Sequence, residues 1–334
     1  MKNRIDEFDT IIPNTHVDEG FIDMSGNLNF NYPTNNYPDP VYENIKDFYS
    51  KYIYKNENCN INRSNIILTR GGVDGLDLCL KLMKLSGYES IGFMDKTFIA
   101  FEYFSNLYDF KIIKHSFVDL NLSTLGNISN KSDILLLCNP NNPTGTSISE
   151  DDIYQIASTH RGPIIIDEAY IDFSNKKSSL KFLCKNDNII ILRTFSKAWG
   201  RPDLRLGSII SSQKWIDRLV KMQPPFQVSK YAILEFEKML ENQDSIKDNI
   251  DKVIKERDKL LLMLSDLSQL KIYKSDANFI YCKCKSYADL KDHLINNKIQ
   301  VKCFDRMYPE TMRITVSSNE NNTLLAQALH EFYN

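Results

Sequence analysis

No stretch of this 334-residue chain approaches the apolar length of a membrane-spanning helix. Its first residues, Met1-Lys2-Asn3-Arg4-Ile5-Asp6-Glu7, carry charge where a secretory signal needs an apolar run. Neither sign of charge accumulates: 41 Lys and Arg face 43 Asp and Glu, the formal net charge is −2, and no basic cluster stands out. Nothing there suggests a nucleic-acid partner. His16, His115, His160, His293 and His330 lack metal-ligand spacing. The seven cysteines are scattered, odd in number and without a CxxC pair, although Cys282 and Cys284 share a face of an expected strand. Internal repeats and low-complexity segments are missing too, beyond a general excess of Asn and Lys. These absences lead to the expectation of a cytoplasmic, metal-free protein with free thiols that binds neither membrane nor nucleic acid. What is present, 42% hydrophobic and 25% charged residues, is ordinary for a globular protein, and the length suits two domains or one large α/β unit.

Along the chain, residues 1–40 read as an extended arm, rich in Asn, Asp, Pro and Tyr, and a helix is expected over 41–54. Strand and helix then alternate. Short apolar strands are expected at 66–68, 90–94, 111–115, 133–138, 163–166, 189–192 and 207–210, which predicts one largely parallel sheet covered by helices. A long amphipathic helix with a polar break covers 229–265. A smaller α+β unit then follows: strand 278–284, helix 288–297, strands 299–303 and 312–316, helix 319–332. The expected division is an arm over 1–40, a large domain over 41–228 and a small domain over 229–334.

The strand ends carry the chemistry. Arg70-Gly71-Gly72-Val73-Asp74 turns a strand into a helix, and a glycine pair there lets backbone amides face an anion. Such turns are common without a ligand. Asn139-Pro140-Asn141-Asn142-Pro143-Thr144-Gly145 is a proline-fixed loop that presents amide side chains, and Asp167-Glu168-Ala169-Tyr170 places an acid and a phenol after a buried strand. Thr194-Phe195-Ser196-Lys197 and Arg205 add hydroxyls, a lysine and an arginine. A lysine after a strand is usually a solvated surface charge. Combined with the other strand ends, it suits pyridoxal 5′-phosphate: Lys197 condenses with the aldehyde, while Thr194, Ser196 and Arg205 hold phosphate oxygens. Asp167 keeps the pyridine nitrogen protonated, and Asn142 and Tyr170 hydrogen-bond the ring oxygen.

These motifs, in order, resemble the fold type I pyridoxal-phosphate aminotransferases of class I/II, and within them most of all the histidinol-phosphate aminotransferase group. Tyr37-Pro38-Asp39-Pro40, Ala277-Asn278-Phe279 and Met312-Arg313-Ile314-Thr315-Val316 extend the resemblance over residues 29–329. The resemblance implies a mainly parallel seven-stranded sheet in the large domain and cofactor phosphate on the amides of Gly72, Val73 and Asp74. It implies Phe98 stacked on the cofactor ring, Tyr37 reaching the neighbouring site of a homodimer, and Arg313 on a substrate carboxylate. Phe98 and Arg313 also have plain readings, as a core aromatic and a strand charge.

Three departures bear on the substrate. Lys302 stands where the family commonly has a phosphate-binding arginine, and a lysine binds as a point charge without bidentate geometry. Arg201, between Lys197 and Arg205, offers a further anion contact, and the N-terminal arm is short. The leading expectation is amino transfer from glutamate to a small phosphorylated carbonyl compound. The alternative is decarboxylation of a phosphorylated amino acid, of phosphoserine or phosphothreonine type, on the same scaffold. A regulator that keeps the fold without turnover fits poorly with the intact Lys197, Asp167, Asn142 and Tyr170.

Overall fold

A computed structural model of the chain describes residues 5, 9, 10, 31, 37–116, 122–305 and 307–333. Most of the arm expected over 1–40 lies outside the described residues. Seven strands form the first sheet: β1 (Ile66–Thr69), β2 (Ser90–Met94), β3 (Lys111–His115), β4 (Ile134–Cys138), β5 (Ile164–Asp167), β6 (Ile189–Thr194) and β7 (Gly207–Ser211). Their order across the sheet is β1-β7-β6-β5-β4-β2-β3. Every residue of β4 and β5 is buried, as expected where helices cover both faces of parallel strands.

Alternation along β6 divides the core. Ile189 and Ile191 join one apolar cluster with Tyr49 of α1 (Glu43–Glu57), Ile153 of α5 (Glu150–Thr159) and Phe236 of α7 (Lys230–Glu241). Ile190 and Leu192 join the other with Leu76 of α2 (Gly72–Leu85), Phe101 of α3 (Ile99–Leu107) and Trp215 of α6 (Gln213–Val220). Each buried isoleucine contributes roughly 1.5–3 kcal/mol of burial. α5 starts as its sequence suggests, with Ser149 Oγ accepting the N–H of Asp152 at 3.1 Å. The short helix α4 (Leu122–Ser129), which has no strong pattern in the sequence, completes the first cluster with Leu125 and Ile128.

One strand departs from a parallel reading: β7 is antiparallel to both β6 and β1. The link from β6 to β7 holds no crossover helix, so the chain must fold straight back. This reversal has a functional consequence. The start of β7, preceded by Arg205, lies at the sheet edge where β1, β2, β4, β5 and β6 end. Gly207 is required there, since a Cβ would lie 2.7 Å from both the Arg193 carbonyl oxygen and the Gly71 carbonyl carbon.

The expected long helix is two, α7 and α8 (Gln243–Met263), broken at Asn242. Four antiparallel strands then form the second sheet, in the order β10-β11-β9-β8: β8 (Leu270–Ile272), β9 (Phe279–Cys284), β10 (Lys302–Cys303) and β11 (Thr311–Thr315). Ile280, Cys282, Met312 and Ile314 pack against α8, α9 (Tyr287–Asn296) and α10 (Asn319–Tyr333), and the alternate residues Phe279, Tyr281 and Arg313 belong to the opposite face. The strand expected over 299–303 is shortened to two residues. Lys298 leaves α9 in the left-handed region (φ 61°) and Ile299 N–H bonds back to Leu294, so pairing with β11 begins only at Lys302. Among the described residues no helix is long and apolar enough to cross a membrane, and no cluster of His, Cys, Asp or Glu could hold a metal ion.

Candidate active site

Strands β2 and β4 are neighbours, but the chain leaves them in opposite directions across the sheet, toward β3 and toward β5. Open α/β sheets form their ligand crevice at such a point. A cavity of about 420 Å³ opens there, lined by the residues that follow five strands: Gly72, Phe98, Asn142, Asp167 and Lys197 among them. Val73, Tyr170, Thr194, Ser196 and Arg205 face the same space, and Lys302 and Arg313 close it from the second sheet.

At the floor, α2 begins on Gly71, whose φ of 86° suits glycine and which has no side chain to cap the helix. The amides of the first turn therefore meet the cavity without a competing cap. Arg205, itself in the left-handed region, lays its guanidinium over this turn: a Cβ on Gly71 would sit 3.0 Å from Arg205 Nη2. Asp74 is placed differently. Its carboxylate turns to Arg70, with Arg70 Nη2 donating to Asp74 Oδ1 at 2.7 Å, and the residue does not line the cavity.

Asp167 ends β5 with its side chain buried. Its Oδ1 accepts the N–H of Ala169 at 3.0 Å, and among the described residues no Lys or Arg comes within ion-pair distance. Burial raises its pKa to about 6, with Glu168 adding to the rise and the Ala169 amide and Lys197 opposing it. Lys197 shows the complementary effect. Burial lowers its pKa, and the cations Arg313 and Arg205 lower it further, against Asp167. Its Nζ stands 5.9 Å from the Tyr170 ring centroid. The Tyr170 phenol is pushed above its ordinary value, chiefly by burial.

Arg313 Nη1 donates to Asn142 Oδ1 at 2.6 Å, which leaves the Asn142 amide nitrogen as the donor toward the cavity. The guanidinium carbon lies 5.1 Å from the Phe279 ring centroid, and Phe279 meets Tyr170 edge-on at 5.1 Å. Lys302 is the cross-strand partner of Arg313, which sets two cations side by side. Arg201 takes no part. It is ion-paired with Asp203 at 2.9 Å and with Glu235 at 3.0 Å, and it does not line the cavity. Tyr37 also lies apart, 56% exposed and stacked on Phe226 at 4.5 Å.

Sequence reasoning missed several wall residues. Cys138 pairs in register with Asp167, and Thr97 Oγ1 donates to Asn141 Oδ1 at 2.7 Å. Phe304, Met307 and Tyr308 reach in from the link between β10 and β11, where the Tyr308 hydroxyl donates to the Asp95 carbonyl at 3.0 Å. The position of Cys138 at the end of an apolar strand could have flagged it; no local signal marks the other four.

These residues fit pyridoxal phosphate. An uncapped helix start beside an arginine suits a phosphate, a buried carboxylate without a protein counter-ion suits a ring N–H, and a lysine amine with lowered basicity suits an aldehyde.

Comparison with known proteins agrees. The family model for aminotransferase class I and II matches residues 15–329. The histidinol-phosphate aminotransferase of Christiangramia forsetii is 32% identical over 321 residues, covering 94% of this chain and 90% of that protein. Among solved structures, the histidinol-phosphate aminotransferase from Sinorhizobium meliloti in complex with pyridoxal-5′-phosphate superposes with a TM-score of 0.77, at 22% identity over 88% of this chain and 82% of that one. The L-threonine-O-3-phosphate decarboxylase from Porphyromonas gingivalis gives 0.75, at 20% identity over 89% and 90%. Likeness at that identity shows the shared fold.

Proposed function

The chain belongs to the class I and II aminotransferases and depends on pyridoxal phosphate, and from that premise we propose that it moves an amino group from glutamate to a small phosphorylated carbonyl compound, in the manner of a histidinol-phosphate aminotransferase. The observation that carries this reading is the pair of cations, Arg313 and Lys302, side by side on β11 and β10 and facing the cavity that holds Lys197. Glutamate brings two carboxylates to two cations. The acceptor brings a phosphate, which Lys302 binds as a point charge.

The cofactor, when bound, withdraws electrons from the substrate carbon that carries the amino group and stores that group between the two half-reactions. The chain supplies everything else. The amides of Gly72 and Val73, with Thr194, Ser196 and Arg205, would hold the phosphate, and Phe98 would contact the ring. Asp167 would gain the cation that its burial lacks and would keep the ring nitrogen protonated. Asn142 and Tyr170 would donate to the ring oxygen. Arg313 would orient the carboxylate so that the Cα–H points at Lys197, whose amine, its basicity lowered by burial and neighbouring cations, would take that proton.

The working unit in this reading is a homodimer in which Tyr37 reaches the neighbouring site, and unpaired thiols support a cytoplasmic location. Turnover of histidinol phosphate with 2-oxoglutarate tests the assignment. Lys302→Ala is expected to raise KM for the phosphorylated substrate about tenfold. No turnover of that pair at millimolar concentration would reject the substrate class.

A further inference from the structure

Two parts of the site come from different sheets, and one buried arginine joins them. Arg257, on α8, is 4% exposed. Its Nη1 donates to the carbonyl of Phe173 at 3.0 Å and to that of Ala277 at 3.3 Å. Phe173 closes the turn that follows Asp167 and Tyr170, and Ala277 precedes β9. The side chains above this bridge form one small apolar cluster: Tyr170, Phe173, Ala277 and Phe279, with Ile250 and Val253 of α8 packed against it. Phe279 is the ring on which Arg313 rests and against which Tyr170 stands.

The same backbone has one further tie. Asp276 N–H donates to the Gly145 carbonyl at 2.7 Å, which fixes the segment before β9 to the loop that bears Asn142. Arg313 in turn donates to Asn142. Nη1 alone thus spans the two backbones whose spacing sets where Arg313 sits relative to Tyr170, while Nε pairs with an exposed Asp258 at 3.1 Å.

We propose that Arg257 is a positioning residue: by bridging the Phe173 and Ala277 carbonyls, it fixes the distance between the Asp167–Tyr170 turn and the strand carrying Arg313, and so the fit of a dicarboxylate. The inference rests on the reading of Arg313 as the carboxylate site. The anchors of the cofactor phosphate, the α2 turn and Arg205, lie outside this bridge, so cofactor affinity falls less than glutarate affinity when the bridge is cut.

The test is calorimetric titration of glutarate, a dicarboxylate that cannot transfer an amino group, into the cofactor-loaded protein and its variants. Arg257→Met keeps the apolar stem and removes the donors; its glutarate dissociation constant is expected to rise about tenfold, and that of Arg257→Lys to rise less. On an Arg313→Gln background, which alone weakens glutarate at least as much, adding Arg257→Met produces no further loss, because the effect runs through Arg313. Wild-type affinity in both Arg257 variants, a loss that adds fully to that of Arg313→Gln, or an equal fall in cofactor affinity would each overturn the proposal. If Arg313→Gln itself leaves glutarate binding intact, the carboxylate reading fails first. Should Arg257→Met not fold, Arg257→Lys alone decides, by the same criteria.

Discussion

Lys197 must be neutral before it can take a proton from Cα, and its surroundings shift it in that direction. The walls desolvate the amine, and two guanidinium groups repel its charged form. Lys197→Ala is expected to lower turnover by about three orders of magnitude or more while the thermal melt changes little, a comparison that rapid-quench kinetics and calorimetry make directly. Asp167 makes the opposite demand on stability. Its folded pKa of about 6 lies above its ordinary 3.8, so the native cofactor-free protein binds this proton more tightly than the unfolded chain does. The protonated form's contribution is complete below about pH 4 and is lost as pH rises through 6, at a cost of roughly 3 kcal/mol. Asp167→Asn should therefore stabilise the cofactor-free protein at pH 8 by about 1–3 kcal/mol, leave it unchanged near pH 4, and abolish amino transfer. Urea titrations at the two pH values read the difference; equal shifts at both would contradict it. Residues of this kind are legible in a sequence because they close apolar strands and arrive in motifs. Arg257 and Tyr308 are not legible. Arg257 acts through carbonyls 84 and 20 positions away and Tyr308 through one 213 away, partners that only the folded chain supplies.

At the scale of elements, apolar runs bounded by turn residues located every strand of the first sheet, since a strand buried on both faces has little choice of composition. Direction was harder. The antiparallel course of β7 depends on a short link and on crowding at Gly207, neither of which alters its apolar pattern. Gly207→Ala forces a methyl group against two backbones at once and is expected to cost about 1–3 kcal/mol, lowering the urea midpoint without changing the slope. The two-residue β10 has a similar lesson. Residues 299–301 have strand-like composition, but the left-handed Lys298 turns the chain away from its partner until Lys302. That late pairing is what leaves Lys302 beside Arg313, so the deviation from the expected strand belongs to the substrate site.

Across the whole molecule, α8 joins the cofactor crevice on the first sheet to the carboxylate grip on the second through Arg257. Composition could bound this arrangement, and the motif order could name its family, but the joint between the sheets is a tertiary product. The proposed homodimer would add a second level of assembly through Tyr37. Tyr37→Ala is expected to leave sedimentation at the dimer mass and to weaken cofactor retention severalfold, as measured by dialysis against phosphate; unchanged retention would remove Tyr37 from the neighbouring site. The central claim, that glutamate surrenders its amino group here, is tested most directly by mixing the cofactor-loaded protein with L-glutamate alone and measuring both 2-oxoglutarate and the cofactor's absorbance. The account predicts one equivalent of 2-oxoglutarate per active site, with a matching absorbance change that Lys197→Ala eliminates. An absorbance that stays unchanged with glutamate, together with carbon dioxide release from phosphothreonine, would contradict it and assign this cavity to decarboxylation.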